Sequence, residues 1–323
     1  MMMISYGKQS VDQEDIEEVV KVLQSNFLTQ GDKVIEFESS LCEYFGSKYS
    51  IALANGTAAL HLGGLALGWK ESDIVITSPL TFLATVNSIV YAGATPDFVD
   101  IDPDTYCIDV NQLEKKLKFY DSKGKRVKSV IGVDYAGHPC DWNSIKELSN
   151  KYGFSTMNDN CHAIGASYYE NKKYACNFAD LVIQSYHPVK NITTGEGGAV
   201  LTNNKELNLK IKSLRSHGME RNSKITESKG IWYYEMKSLG FNYRLTDIQC
   251  ALGVSQLRKL DSFVLKRKKI AKSYDEFFKN RDSFLIPKTS RGNSHAYHLY
   301  PLKYEFSSKG INKKEFFKEA RKK

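Results

Sequence analysis

Between residues 50 and 203, short apolar and β-branched runs alternate with segments of helical period. That alternation restricts the chain to a mostly parallel sheet with helices on its faces. The runs are SIALA (50–54), IVITS (74–78), TPDFVDI (95–101), VIGVDY (130–135), STMND (155–159), LVIQSY (181–186) and AVLTN (199–203). Helices are predicted from near Gly56 and over 85–91, 110–119 and 142–152. Upstream, Ser10 and Gln13 form a capping-box pattern ahead of Ile16, Val19, Val20 and Leu23 at helical spacing. A second amphipathic segment aligns Val34, Phe37, Leu41 and Phe45. From about Leu252 the pattern becomes long, charged and helical, which predicts a large domain over 1–250 and a smaller one from 251 to 323.

Ligands of such sheets collect beyond the carboxyl ends of the strands, so the residues just after each run are the candidates. The sequence NGTAAL turns a strand through Gly56 into a helix. Free N–H groups and the Thr57 hydroxyl at a helix start make a phosphate seat. Phe82, in TFLAT (81–85), is placed to stack on a flat heterocycle; a lone phenylalanine is otherwise core. Asp159 closes an apolar run, where a carboxylate is costly unless paired; a protonated pyridine nitrogen would pair it, and capping the next turn is the plainer use. His162 follows within hydrogen-bonding reach of the same ligand. Lys190 lies between a buried run and the Gly-rich GEGG (195–198), with Ser185 just before it as a further phosphate contact. A lysine crowded by a ligand there is desolvated and becomes a neutral nucleophile, although loop lysines are ordinarily solvated.

Composition narrows the function classes. The formal charge of +8 suggests nucleic acid, yet residues 301–323 carry eight Lys/Arg against three Glu, leaving only +3 elsewhere. A solvated basic helix accounts for the tail, and a mild positive field suits anionic substrates. The six cysteines are scattered without a C-x-x-C pair, which argues against a zinc site or a disulfide framework and fits a reducing compartment. No secretory pattern opens the chain and no apolar run reaches membrane-spanning length. The expectation is a cytoplasmic protein with no metal, nucleic-acid or membrane partner.

NGTAAL, TFLAT, DNCHAIGA, SYHPVKNITTGEGGAV, RSHGM (215–219) and GFNYRLTDIQCALG (240–253) together resemble the DegT-type nucleotide-sugar aminotransferases. These are fold-type I enzymes dependent on pyridoxal 5'-phosphate (PLP). The likeness implies a seven-stranded-type, mostly parallel sheet with a smaller C-terminal α/β domain. Lys190 would carry the cofactor and move the proton, Asp159 would pair with the ring nitrogen, and His162 would lie beside the ring. Phe82 would stack on its face, while Gly56, Thr57 and Ser185 would bind the phosphate. Asn242 would reach the phosphate from the neighbouring subunit, which makes the unit a homodimer. Thr29 and Arg244 are the substrate-side candidates. VDYAG, SHGM and the Lys190 segment are most similar to the pseudaminic-acid branch of the family. That branch implies amination of a UDP-linked 2-acetamido-2,6-dideoxy-4-keto hexose, with L-glutamate as donor. A different dTDP-, GDP- or UDP-linked keto sugar, a non-catalytic PLP-binding regulator or an inactive truncated remnant is the alternative; the related dehydratases carry histidine where this chain has Lys190. The chain departs from the family at Asn160-Cys161, where small residues are usual, and at Asn191, where proline follows the lysine. Its last residue, Lys323, comes several dozen residues early, so the expectation is a small domain cut short.

Overall fold

The structure is a computed structural model that describes residues 7–220, 229–306 and 310–321. Seven strands form the central sheet: β1 (Tyr49–Leu53), β2 (Ile74–Thr77), β3 (Thr95–Phe98), β4 (Val127–Val133), β5 (Ser155–Asp159), β6 (Leu181–Ser185) and β7 (Gly198–Thr202), in the order β1-β7-β6-β5-β4-β2-β3. The pairs among β3, β2, β4, β5 and β6 are parallel, whereas β7 runs antiparallel to both β6 and β1. The carboxyl ends of β1, β2, β4, β5 and β6 therefore share one edge with the start of β7.

The helices are α1 (Gln13–Leu23), α2 (Asp32–Phe45), α3 (Gly56–Ala66), α4 (Leu83–Tyr91), α5 (Val110–Ser122), α6 (Trp142–Tyr152), α7 (Ala175–Phe178), α8 (Lys205–Arg215), α9 (Asp247–Phe278) and α10 (Lys313–Ala320). They bury both sheet faces, and successive strand residues feed opposite layers. In β6, Val182 joins Phe37, Leu41, Leu113, Trp142 and Val254 under α2, α5, α6 and α9. Its neighbours Leu181 and Ile183 join Leu60, Leu62, Ile89 and Ile211 under α3, α4 and α8. Each such side chain, fully buried, contributes about 1.5–3 kcal/mol. Two-stranded pairs follow outside the sheet: β8 (Met219–Glu220) with β9 (Glu235–Met236), and β10 (Phe284–Leu285) with β11 (Lys303–Tyr304).

Two boundaries differ from the sequence reading. The first helix starts from Asp12 rather than Ser10: Asp12 Oδ1 accepts from Asp15 N–H at 3.2 Å while Asp15 Oδ2 accepts from Asp12 N–H at 3.0 Å. The carbonyl of Ser10 instead accepts from Gln256 Nε2 at 2.9 Å. Asp15 is fully buried and bonded to Gln256 and Lys259, so α1 is held against α9 by a satisfied carboxylate. Helix α9 begins at Asp247 with its own Thr246–Gln249 capping box and runs unbroken to Phe278. The boundary expected near residue 250 thus falls inside one helix, which contributes core residues as far as Val264. Asp247 faces away from its own helix: its two carboxylate oxygens accept from Gly31 N–H at 2.8 Å and Lys33 N–H at 3.0 Å and so cap α2.

Candidate active site

Strand β1 ends at Leu53, and Asn55 caps α3 by accepting from Ala58 N–H at 2.8 Å. Ala59 N–H bonds to the Asn55 carbonyl. Gly56 and Thr57 are then the first two helical residues, whose N–H groups have no intrahelical acceptor. Ser185, closing β6, stands against them: a Cβ on Gly56 would lie 2.8 Å from Ser185 Cβ and 3.2 Å from its Oγ. A Cβ on Gly198 would lie 2.5 Å from the Asn55 carbonyl carbon and 2.7 Å from Gly56 N. Glycine at both places lets two strands and a helix start converge to backbone contact. Two orphan N–H groups, a helix dipole and a hydroxyl meet there, the chemistry of a phosphate seat.

Asp159, at the end of β5, is 6% exposed. Thr85 Oγ1 donates to its Oδ2 at 2.7 Å and Cys161 N–H to its Oδ1 at 3.3 Å; Thr81 and Thr85 hydroxyls stand 2.8 Å apart. No salt bridge reaches Asp159 among the described residues. The carboxylate is therefore positioned by neutral donors, and a cation at this site would find it prealigned. Lys190 follows a turn closed by its own N–H to the His187 carbonyl at 2.8 Å. The Cys161 thiol, two residues after Asp159, feels both charges: Asp159 raises its pKa and Lys190 lowers it. Burial is the larger influence and pushes that thiol up.

His162 receives a hydrogen bond from Ala136 N–H on Nδ1 at 3.2 Å, which leaves Nε2 to carry the proton in the neutral ring. Burial, and then the Lys190 ammonium, push its pKa down to about 3. The imidazole is thus a neutral donor throughout the physiological range. Tyr135 lies 5.8 Å from it and His298 4.3 Å, ring centre to ring centre. Phe82, just ahead of α4, is 68% exposed, an aromatic face not used for core packing.

Two of the residues that depart from the family pattern, Asn160 and Asn191, are engaged in other contacts. Asn160 donates to Asp134 at 2.9 Å, a fully buried carboxylate that also receives Cys140 N–H, Trp142 Nε1 and the Tyr174 hydroxyl. Asn191 donates to the Ile164 carbonyl at 2.7 Å, tying the Lys190 loop to the loop after Asp159.

Thr29, Asn242 and Arg244 form a separate group. Their backbones pair with Thr246, Ser216 and Leu53, and Ala54 N–H bonds to the Tyr243 carbonyl. Residues 242–246 therefore run beside the end of β1, next to the phosphate seat, with Asn242 and Thr29 exposed. Among the described residues no hydrogen bond or ion pair joins these three to Lys190, Asp159 or His162. The sequence reading did not single out Asn55, Thr85, Gly198 or His298. The capping signal at Asn55 and the doubled glycine at Gly197-Gly198 were available; nothing local marks Thr85 or His298.

The seat, the prealigned carboxylate and a lysine on the loop after β6 are the chemistry PLP needs: a holder for an anionic group, a partner for a basic ring nitrogen and an amine for a carbonyl. Comparison with known proteins agrees. The model of the DegT/DnrJ/EryC1/StrS aminotransferase family matches residues 9–323. A UDP-4-amino-4,6-dideoxy-N-acetyl-beta-L-altrosamine transaminase of Campylobacter jejuni is 44% identical over 300 residues, 93% of this chain and 76% of that protein. The solved structure of Helicobacter pylori PseC, an aminotransferase involved in pseudoaminic acid biosynthesis, superposes with a TM-score of 0.87 at 34% identity, covering 98% of this chain and 83% of that one. NtdA of Bacillus subtilis, solved with bound cofactor PMP, gives a TM-score of 0.80 at 28% identity, with 93% and 66% covered. The chain belongs to the DegT/DnrJ/EryC1/StrS aminotransferase family and is a PLP-dependent transaminase acting on sugars.

Proposed function

We propose that the chain transfers the amino group of L-glutamate to C4 of a UDP-linked 2-acetamido-2,6-dideoxy-4-keto hexose, a step of pseudaminic acid biosynthesis. Asp159 ends β5 beside β6, whose last residue Ser185 lies against Gly56 and is followed by the Lys190 turn, and that placement supports this reading. The high identity to the Campylobacter transaminase supports the substrate.

Bound PLP supplies an electron sink that lets a proton leave the carbon bearing the amine. Lys190 Nζ holds the cofactor at rest, takes the proton from Cα of glutamate and later delivers one to C4 of the sugar. Asp159, fixed by Thr85, keeps a proton on the ring nitrogen. Gly56 and Thr57 N–H groups and the Ser185 hydroxyl would bind the phosphate, and Phe82 would pack against the ring. His162 donates from Nε2 to the ring's oxygen without bringing a second positive charge beside Lys190. Arg244 and Thr29 face the nucleotide, with the guanidinium matched to the diphosphate.

The working unit in this reading is a homodimer in which Asn242 serves the partner's phosphate. Ile231, Trp232, Leu239, Phe82 and Leu83 are all at least two-thirds exposed in the single chain, more apolar surface than scattered side chains require. Among the described residues no helix is long and apolar enough to cross a membrane.

A panel of UDP- and dTDP-linked 4-keto sugars with glutamate tests the reading. The UDP-linked 2-acetamido sugar is expected to be aminated fastest. Equal turnover of the dTDP sugars would refute the specificity, and turnover by Lys190→Ala would refute the assignment of the amine.

A further inference from the structure

Residues 295–299 return from the far side of α9 to lie on the turn at 135–137. Ala296 N–H bonds to the Gly137 carbonyl at 2.9 Å and Leu299 N–H to the Ala136 carbonyl at 3.1 Å. The approach is at backbone contact: a Cβ on Gly137 would lie 2.8 Å from Tyr297 N. Arg267, from α9, donates Nη1 to the carbonyls of Tyr297 and His298 at 3.1 and 3.3 Å. Tyr297 is held at φ 48°, a left-handed conformation that a tyrosine adopts only under such constraint. Three contacts therefore fix the backbone from which His298 projects.

The His298 ring lies 4.3 Å from His162, centre to centre, with 40° between planes. Its Nδ1 is buried and has no hydrogen-bond partner among the described residues, so the tilted ring contact and the backbone clamp hold the ring rather than that nitrogen. The same turn supplies the Ala136 N–H that fixes His162 Nδ1 as an acceptor. One segment thus grips the turn that sets the tautomer of His162 and packs a ring against that imidazole.

We propose that His298 is a positioning residue of the active site: its ring lies over His162 and holds that imidazole in the orientation and tautomer in which Nε2 donates. The inference rests on the reading of His162 as a site residue. The charged and titratable groups facing the pair are Lys190 and His187 from the cofactor loop, Arg267 from α9 and Tyr135 from the turn. The cations among them oppose a proton on either ring, and the half-buried setting weakens the hydration that would favour one.

The test is an NMR titration of the His162 ring in the PLP-free full-length chain, together with the pH profile of kcat/KM in the loaded enzyme. In the unsubstituted protein His162 stays neutral to below pH 5. In His298→Ala, water reaches the ring and its midpoint moves up to near the ordinary value of about 6.5. A group titrating near 6.5 is about three-quarters protonated at pH 6, so kcat/KM of the variant falls about fourfold between pH 8 and pH 6. His298→Phe restores a flat cover and keeps the titration low. If His298→Ala does not fold, His298→Gln takes its place. An unchanged titration in the Ala or Gln variant, or a Phe variant titrating like Ala, overturns the proposal. The titration needs no substrate, so a wrong sugar assignment would leave its result intact.

Discussion

Acidification from pH 7.5 to 5.0 perturbs a group of histidines that the fold keeps neutral. Burial pushes His162 and His295 to about 3 and holds His298 well below its ordinary value, with Lys190 and neighbouring imidazoles adding to the effect. In the unfolded chain each takes a proton near 6.5. Between the folded and unfolded values the unfolded state binds more protons, so stability is complete above about pH 6.5 and is lost as the pH falls. At ~1.4 kcal/mol per unit, each residue removes about 2 kcal/mol by pH 5, and the three together about 6 kcal/mol. His61 is lowered by burial and adds in the same direction. His138 opposes them: its pKa is raised through Cys107 despite burial, so it contributes stability below its unfolded value that is lost as the pH rises. With His61 adding and His138 opposing, about 6 kcal/mol is the figure for the three alone, and we expect a net loss of at least ~3 kcal/mol, large against a total of roughly 5–15 kcal/mol. Asp97 and Asp102, whose pKa values are lowered, add losses only below the ordinary carboxylate range. Urea unfolding of the PLP-free chain at fixed protein concentration, in half-unit pH steps, measures this directly. A change under ~1 kcal/mol across the window, or a loss that starts only below pH 4.5, would refute the assignment of neutral buried imidazoles.

Two substitutions probe the site itself. Gly198→Ala drives a methyl into the Asn55–Gly56 backbone; we expect a loss of about 1–3 kcal/mol in unfolding free energy and weaker PLP binding by absorbance titration. PLP affinity equal to that of the unsubstituted chain would show that the seat lies elsewhere. Asp159→Asn keeps the shape and the Thr85 contact but cannot hold a proton on the ring nitrogen, so kcat is expected to fall about a hundredfold or more while PLP still binds. Steady-state kinetics beside a binding titration separate those two effects.

Much of the sheet was legible because buried strands and amphipathic helices differ in period. SIALA, IVITS, STMND, LVIQSY and AVLTN all lie within a residue of β1, β2, β5, β6 and β7. The antiparallel setting of β7 was not legible, since a run such as AVLTN reads the same in either direction. The apolar run at 95–101 extends past the end of β3 at Phe98, where β2, its only neighbour at the sheet edge, stops at Thr77. At the amino terminus two capping patterns overlap, Ser10–Gln13 and Asp12–Asp15, and tertiary contacts from Gln256 and Lys259 decide for the second. Within the site, residues carried on strand ends could be named from the alternation and from the family resemblance. His298 could not, because its place beside His162 depends on a clamp assembled from Arg267, Ala136 and Gly137, more than a hundred residues apart in the chain.

Helix α9 spans 32 residues, about 48 Å at 1.5 Å per residue. One extremity braces α1 and α2 through Asp247, Gln256 and Lys259; farther along, Arg267 grips the strand of chain that delivers His298. It behaves as an axle between two bearings. A single residue inserted between Lys259 and Arg267 would rotate one bearing by roughly 100° relative to the other. Length in this rod is thus fixed by register at both ends, even though much of its outward face is exposed in the single chain.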